Sequence, residues 1–374
     1  MKFTISKNLL ENIIEFLSTF VDSNDSYMLF RGIYIELNNE EATFIAGNSS
    51  IASKKTIKID EKEIKLEKTG SLLINTTILK NLVKKFEKEI TFIKNENSLE
   101  VFENKTRYTL TLLDETKYSH FNFSIPQNKI VIKSKDLNEA INNVYISSNL
   151  NHEKSNNIVN NPVTKVINLR SEGNKIRFTS TDTYRLSTHV LNIGQESNLD
   201  INIDVKNFKK LYNKDMPSEI NLFIENNRIG ISYENTIIFT YIVNIKYIDI
   251  DRLIKFKNTK NIKIKKEELS KIINKTIFYS SEKIRRLQFS ISENEIKTTF
   301  EIPEVGISEF ITTSLEYSGN SFEIDIDWQF VKEAISAFNT EYIYLHITNN
   351  EDRIYIKGED SDDNIQLLTP IRRY

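Results

Sequence analysis

Apolar residues in this chain recur at one spacing that returns six times. Ile5, Leu10 and Ile14 are separated by five and then four positions, as are Ile132, Leu137 and Ile141, and Ile264, Leu269 and Ile273. Related sets are Ile74, Leu79 and Val83, then Ile203, Phe208 and Tyr212, then Ile326, Val331 and Ile335. The first member of each set ends a short β-branched run. The next two stand four apart, the interval that places side chains on one face of a helix. Each set therefore predicts a strand that passes directly into an amphipathic helix.

Between these starts lie alternating runs such as KIRFTST, EINLFIE, RIGISYE, EYIYLHIT and RIYIKGE, joined by Asn-, Asp- and Glu-rich turns. Period-two alternation bounded by such turns predicts antiparallel strands linked by hairpins. An unduplicated series of βα units could produce one or two such spacings, but six in order, each followed by strands, indicate an internal repeat. Pairing the starts predicts three α+β domains, each with two helices packed on antiparallel sheets: residues 1–126, 127–255 and 256–374. The junctions fall near SIPQN and near KFKNTKN, the latter a short polar linker.

Composition narrows the class. With 39% hydrophobic and 27% charged residues the chain reads as globular and not disordered. The absence of cysteine removes disulfides, thiolate metal sites and cysteine nucleophiles, and suits a reducing compartment. The opening MKFTISKNLLENIIEFLSTFV resembles a signal peptide only superficially, because Glu11, Asn12 and Glu15 interrupt it. No run reaches the roughly 18 apolar residues of a membrane span.

A net charge of −2 gives no global nucleic-acid signal, so any such surface requires local segregation of charge. In TILKNLVKKFEK, with Ile78, Leu79, Leu82, Val83 and Phe86 inward, helical spacing predicts a stripe of Lys80, Lys84 and Lys88 on the opposite side. The fourth helix repeats this, with Lys206, Lys209, Lys210 and Lys214 facing away from Phe208, Leu211 and Tyr212. Lys271 and Lys275 stand opposite Leu269, Ile272 and Ile273. A solvated face is the simple reading of any one helix, but sparse acids and recurrence at equivalent repeat positions favour phosphate contact. Base-reading motifs are absent, so binding would be backbone-directed and salt-dependent.

Enzyme signals are missing. His120, His152, His189 and His346 lack ligand spacing, and no Walker loop, G-x-S-x-G or G-x-G-x-x-G occurs. The pairs Asp249/Asp251 and Asp325/Asp327, and the run Glu359 to Asp363, could be imagined as two-metal carboxylates, but all fit strands or turns. The stretch TSTDTYRLS poses the same choice: a catalytic aspartate, or the polar end of a strand with Asp182 capping its turn.

TSTDTYRLS after a strand of the middle domain, together with LLTPIRRY at 367–374, resembles the bacterial sliding-clamp family, the β subunits of DNA polymerase III. The similarity runs along the whole chain through MKFTI, RYTLTLL at 107–113, DRLI at 251–254 and SSEKIRR at 280–286. The resemblance implies a head-to-tail homodimeric ring of DNA-clamp domains, helices lining a hole around duplex DNA and sheets outside. It implies no catalysis and no cofactor, but a processivity role in the cytoplasm, associated with the nucleoid. Its partners would be the replicative polymerase α subunit, clamp-loader subunits and repair factors, held through short peptide motifs.

Carried onto this chain, the peptide pocket comprises Thr181, Thr183, Tyr184, Arg185 and Leu186, with Ile248 and Leu253 from the DIDRLI region and Thr164 from NPVTKV. The terminal strand adds Leu367, Thr369, Pro370, Ile371 and Arg372. The dimer interface would join Tyr108 and Leu110 to Phe278 and Tyr279. Two departures stand out. The family usually has Gly-His where this chain has Thr183-Tyr184, and VDSNDSY lacks the arginine of the first domain's early loop, although Arg252 and Lys206 match basic positions. Two other function classes stay open on sequence grounds: a metal-dependent nucleic-acid enzyme, and a protein-binding scaffold without DNA contact.

Overall fold

The computed structural model describes residues 1–60, 62–96, 98–148, 161–257, 259–279, 285–359 and 362–372. All six spaced sets are strands that run straight into helices. Lys2–Ser6, Gly70–Asn75, Lys129–Lys133, Asp200–Asp204, Thr259–Lys265 and Phe322–Asp327 are the strands. They lead respectively into α1 (Lys7–Ser18), α2 (Thr76–Val83), α3 (Ser134–Tyr145), α4 (Val205–Lys209), α6 (Lys266–Thr276) and α7 (Trp328–Ser336), while α5 (Asp251–Ile254) stands apart from this scheme. Side-chain caps fix several of the transitions. Ser6 Oγ accepts from Leu9 N at 3.3 Å, Asn75 Oδ1 from Ile78 N at 3.1 Å and Asp327 Oδ1 from Gln329 N at 2.9 Å. Each satisfies a backbone N–H that the first helical turn leaves without an intrahelical partner.

The repeat is visible in the hydrogen bonding. The first strand of each domain pairs antiparallel with a later one through equivalent isoleucines: Ile5 with Ile90, Ile132 with Ile220, Ile264 with Ile343. The residue opening the following helix then donates its N–H to the residue just before that partner strand: Lys7 to Lys88 O at 2.7 Å, Ser134 to Ser218 O at 2.9 Å and Lys266 to Glu341 O at 2.9 Å. Three copies of one tether, in one register, are what a triplicated fold requires.

The spaced apolar residues are buried as expected, with one exception. Leu10, Ile13, Ile14 and Leu17 of α1 are fully buried, each contributing about 1.5–3 kcal/mol relative to exposure. Tyr212 is only half-buried and lies beyond α4, which ends at Lys209. There Lys210 N and Leu211 N bond to the carbonyls three residues back, tightening the chain so that Leu211 enters the core instead.

Backbone contacts divide the chain into two compact units, residues 1–134 with 207–242, and residues 135–206 with 243 onward. In the first unit, α1 packs on α2. A five-stranded sheet has the order Ile64–Lys68, Lys2–Ser6, Glu89–Lys94, Ser98–Glu103, Thr106–Thr111. An eight-stranded sheet in the same unit joins Ile51–Lys58 to Thr236–Tyr241, with Ala52 opposite Phe239. In the second unit, α6 packs on α7. Its nine-stranded sheet joins Arg185–Asn192 to Asn364–Leu368, with Leu186 opposite Leu367. Its four-stranded sheet has the order Gly306–Thr312, Ile296–Ile302, Arg286–Ile291, Phe322–Asp327. In both units the antiparallel ladder runs across a predicted domain junction. Among the described residues no helix is long and apolar enough to cross a membrane.

Candidate functional site

The stretch from Thr181 to Arg185 is a tight turn closed by its own side chains. Asp182 Oδ1 accepts from Tyr184 N and Arg185 N, both at 3.0 Å, and Asp182 Oδ2 accepts from Arg185 Nε at 2.9 Å. Thr181 Oγ1 donates to Arg185 O at 2.6 Å and accepts from Thr183 N at 3.1 Å. Asp182 is thus a turn cap and an ion-pair partner, the structural alternative posed by the sequence. The turn places Thr183 at φ 82°, a conformation that costs a β-branched residue strain and glycine none.

Arg185 is sequestered. It is 2% exposed, pairs with Glu333 of α7 as well as with Asp182, and its guanidinium carbon lies 4.2 Å from the Phe330 ring centroid. Its charge anchors the turn to α7. Tyr184, next to it, is 55% exposed.

Tyr184 marks one wall of a cleft of about 1070 Å³. The terminal segment forms another: Thr369 donates to Tyr184 O through both N (2.9 Å) and Oγ1 (2.8 Å), and Ile371 N donates to Asp325 O at 2.7 Å. Pro370, Ile371 and Arg372 therefore run along the strand Phe322–Asp327 and line the cleft with Tyr184 and Thr369. Sequence reasoning missed the remaining lining, formed by Glu323, Ile324, Asp325, Asp327, Phe330 and the hairpin residues Asn350 to Asp352. Phe330 gave the available signal, an aromatic outside the apolar stripe of Val331, Ala334 and Ile335.

The other expected pocket residues do not line this cleft. Leu186 and Leu367 are packed with Ile250, Tyr355 and Ile365, and Leu253 packs against that cluster. Ile248 lines a separate polar cavity of about 280 Å³ with Asn168 and Tyr247. Thr164 is buried in the single turn Pro162–Lys165, its Oγ1 donating to Asn161 O at 2.8 Å.

The basic residues divide similarly. Lys271 and Lys275 project from α6, where Lys271 pairs with Glu268 at 3.1 Å. Lys80 is on α2 and donates to Ser18 Oγ at 3.3 Å. Lys84 is that helix's C-cap, and Lys88 lies beyond it with its backbone N–H on Glu103 Oε1 at 2.7 Å. The expected three-lysine stripe is thus no single helix face: the chain tightens after Val83 so that Phe86 can bury, while Ile78, expected inside, is exposed. Lys206 and Lys209 belong to α4, with Lys210 and Lys214 after it. Arg252 is exposed on α5.

Two sheet edges stand open within their own units. Thr106–Thr111 is an edge of the five-stranded sheet, with Tyr108 and Leu110 half-buried and the Tyr108 ring set edge-on to Phe86 at 5.8 Å. Gly306–Thr312 is an edge of the four-stranded sheet. Ile307 (63% exposed) and Ile311 are exposed along it, Val305 (71%) is exposed just before it, and Phe278 and Tyr279 are exposed in the same unit. Sequence reasoning named the last two but missed this strand. Residues 280–284 of SSEKIRR, together with His152, Asp360, Ser361, Arg373 and Tyr374, lie outside the described residues.

The candidate carboxylates are engaged structurally. Asp325 pairs with Arg286 at 2.6 Å, Asp327 caps α7 beside Arg285, and Asp251 faces Arg170 and Arg177. Among the described residues no three His, Cys, Asp or Glu side chains are grouped to hold a metal ion.

Models of the N-terminal, central and C-terminal domains of the DNA polymerase III beta subunit match residues 1–122, 131–249 and 251–372. The chain belongs to the DNA polymerase III beta subunit family, the sliding clamps. A beta sliding clamp of Mycoplasmopsis pulmonis is 24% identical over 378 residues, with both chains covered in full. The crystal structure of the DNA polymerase sliding clamp from Bacillus subtilis superposes with a TM-score of 0.91 at 19% identity. That of the DNA polymerase III subunit beta from Pseudomonas aeruginosa gives 0.89 at 16%, and each comparison covers all of both chains. The sliding-clamp fold of three tandem domains is therefore retained in this chain at very low sequence identity.

Proposed function

We propose that this clamp acts as a non-catalytic processivity subunit: a head-to-tail homodimer that encloses duplex DNA and tethers the replicative polymerase, clamp-loader subunits and repair factors. The observation that carries the ring is the pair of open, apolar-bearing edges, Thr106–Thr111 and Gly306–Thr312, one in each unit. Such edges invite strand pairing, and a closed ring is the assembly that consumes both without growing further. The interface comprises Tyr108 and Leu110 on one side and Phe278 and Tyr279, now with Ile307 and Ile311, on the other.

Enclosure removes the need for tight binding. The exposed residues Lys84, Lys88, Lys206, Lys209, Lys214, Arg252, Lys271 and Lys275, with Lys80 and Lys210, supply phosphate attraction without base readout, which permits sliding. The cleft beside Tyr184, Thr369, Pro370, Ile371 and Arg372 receives partner peptides. The domains run 1–126, 127–255 and 256–374, and the protein works in the cytoplasm on the nucleoid.

The test is topological. Loaded by a clamp loader on a nicked circular plasmid, the protein should stay bound until the DNA is linearised and then run off the ends. Retention on the linear form would refute enclosure. Deleting Pro370 through Tyr374 should abolish polymerase binding while leaving the dimer intact, and retained polymerase affinity would refute the cleft assignment.

A further inference from the structure

The polar cavity beside Ile248 has a floor of side chains set out in register. On the nine-stranded sheet, Asn168 of Val166–Glu172 stands opposite Asn202 on one neighbour and Thr179 of Lys175–Thr181 on the other. Two residues along, Arg170 stands opposite Asp200 and Arg177. The segment Ile245 to Ile250 completes the lining of a cavity of about 280 Å³. It is tied to the floor where Asn202 Nδ2 donates to Ile245 O at 2.9 Å and the Tyr247 hydroxyl donates to Thr179 O at 3.4 Å. The cavity shares no lining residue with the cleft beside Tyr184.

Its charged end has a loosely held counterion. Guanidiniums directly opposite one another on neighbouring strands repel. Arg170 and Arg177 share the Asp251 carboxylate, at 3.7 Å and 3.5 Å, beyond the roughly 2.7–3.2 Å of a well-formed N–H···O bond. Glu172 holds Arg177 more closely, at 2.8 Å, but the half-exposed Arg170 has no nearer anion among the described residues. Lys246 adds a third cation to the lining, whereas Asp251 and Glu172 do not line it. The two acids that do are engaged: Asp200 Oδ1 accepts from Asn168 Nδ2 at 2.8 Å, and Asp249 Oδ1 from Asp251 N at 3.0 Å.

The neutral end has unused hydrogen-bonding capacity. Asn168, Asn202 and Thr179 are all more than nine-tenths buried. Thr179 Oγ1 has no hydrogen-bond partner among the described residues, a state that costs stability until a ligand or water relieves it. Asn168 Nδ2 also faces Asn202 Oδ1 at 3.1 Å and Ile201 O at 3.3 Å, which assigns the nitrogen and leaves Oδ1 as an acceptor. Hydroxyl groups complement both atoms. At about 280 Å³ the cavity falls just below the roughly 300–1,000 Å³ of sites for drug-sized ligands, which suits a small polar molecule.

We infer that this cavity binds a sugar phosphate. The phosphate bridges Arg170 and Arg177 in the place that Asp251 holds loosely, since its several oxygens can reach both guanidiniums at once. Lys246 adds to its charge neutralisation, and sugar hydroxyls meet Asn168 Oδ1 and Thr179 Oγ1.

Isothermal titration calorimetry on the full chain at low salt, with ribose 5-phosphate, ribose and inorganic phosphate, tests the site. Ribose 5-phosphate should bind, with inorganic phosphate about tenfold weaker and ribose about a hundredfold weaker. Arg170→Gln, a change at a half-exposed side chain, should weaken ribose 5-phosphate about tenfold. Asp251→Asn removes the competing carboxylate and should strengthen it about tenfold, a gain that a merely structural role for Asp251 would not give. Inorganic phosphate binding as tightly as ribose 5-phosphate would overturn the sugar assignment, and ribose binding as tightly would overturn the role of the arginines. No heat from any of the three, or wild-type affinity in either variant, would overturn the site.

Discussion

Asp182 and Arg185 are locked to one another inside the protein, three residues apart, by a 2.9 Å bond from Arg185 Nε to Asp182 Oδ2. Both are buried, and Arg185 carries the link onward to Glu333 of α7. The pair converts a loop of the nine-stranded sheet into a fixed corner from which Tyr184 stands out. Removing the aspartate takes a carboxylate from a buried guanidinium and leaves two turn N–H groups without that acceptor, a cost of about 3–5 kcal/mol. Asp182→Ala should lower the melting temperature markedly. Asp182→Asn, which keeps an oxygen for the turn, should cost less, and scanning calorimetry of both variants measures the difference.

Thr183 bears a backbone cost that its neighbours impose. At φ 82° a β-branched residue is strained by about 1–3 kcal/mol, part of which glycine returns as unfolded-state entropy. Thr183→Gly should therefore stabilise the protein by about 1 kcal/mol in chemical denaturation. A loss of stability would mean that the Thr183 side chain makes a compensating contact.

His189 makes stability pH-dependent. Asn143 Nδ2, a donor, lies 3.1 Å from His189 Nδ1, which must therefore hold a lone pair. Burial depresses the ring's pKa below 6.5, although Glu139, Asp363 and Asp136 pull the other way. A histidine with a lowered folded pKa binds fewer protons when folded than when unfolded. Its stabilising contribution is complete above about pH 6.5 and is lost as the pH falls toward the folded value. Urea denaturation between pH 7.5 and 5.5 should show wild type losing stability faster than His189→Gln, the difference between the two isolating this residue from the carboxylates.

Ile307 tests the proposed ring edge. Placing a charge where an apolar side chain would be buried between subunits forfeits about 1.5–3 kcal/mol of burial alone, which weakens dimerisation by about tenfold to a hundredfold. Ile307→Lys should shift the sedimenting species toward the 43.7 kDa protomer with an unchanged circular dichroism spectrum. Leu110→Lys should do the same from the other edge.

What the sequence disclosed and what it withheld follow from the range of the forces involved. The spaced apolar sets were legible because strand and helix periods are local, and the side chains at Ile5, Leu10 and Ile14 obey them without reference to the rest of the chain. Helix ends were not legible. Lys88 and Lys214 fall outside their helices because Phe86 and Leu211 turn inward, a choice made by the core. Within the cleft, TSTDTYRLS and the TPIR segment could be read by resemblance, but the wall of Glu323, Ile324, Asp325 and Asp327 could not, since it meets the terminal segment through tertiary contacts such as the bond from Ile371 N to Asp325 O. The edge Gly306–Thr312 was overlooked because its exposed face, Ile307, Glu309 and Ile311, mixes apolar and charged side chains and breaks the alternation that marks a strand.

The ladders that cross the junctions bear on how this protein can come apart. Ile51–Lys58 is zipped to Thr236–Tyr241, and Arg185–Asn192 to Asn364–Leu368. A cut at either linker would strip the neighbour from a long β-branched strand and leave its amides bare, so an excised middle third would be adhesive and insoluble. The three copies share a pattern, yet each flank of the middle one is held by strand pairing as well as by the covalent chain.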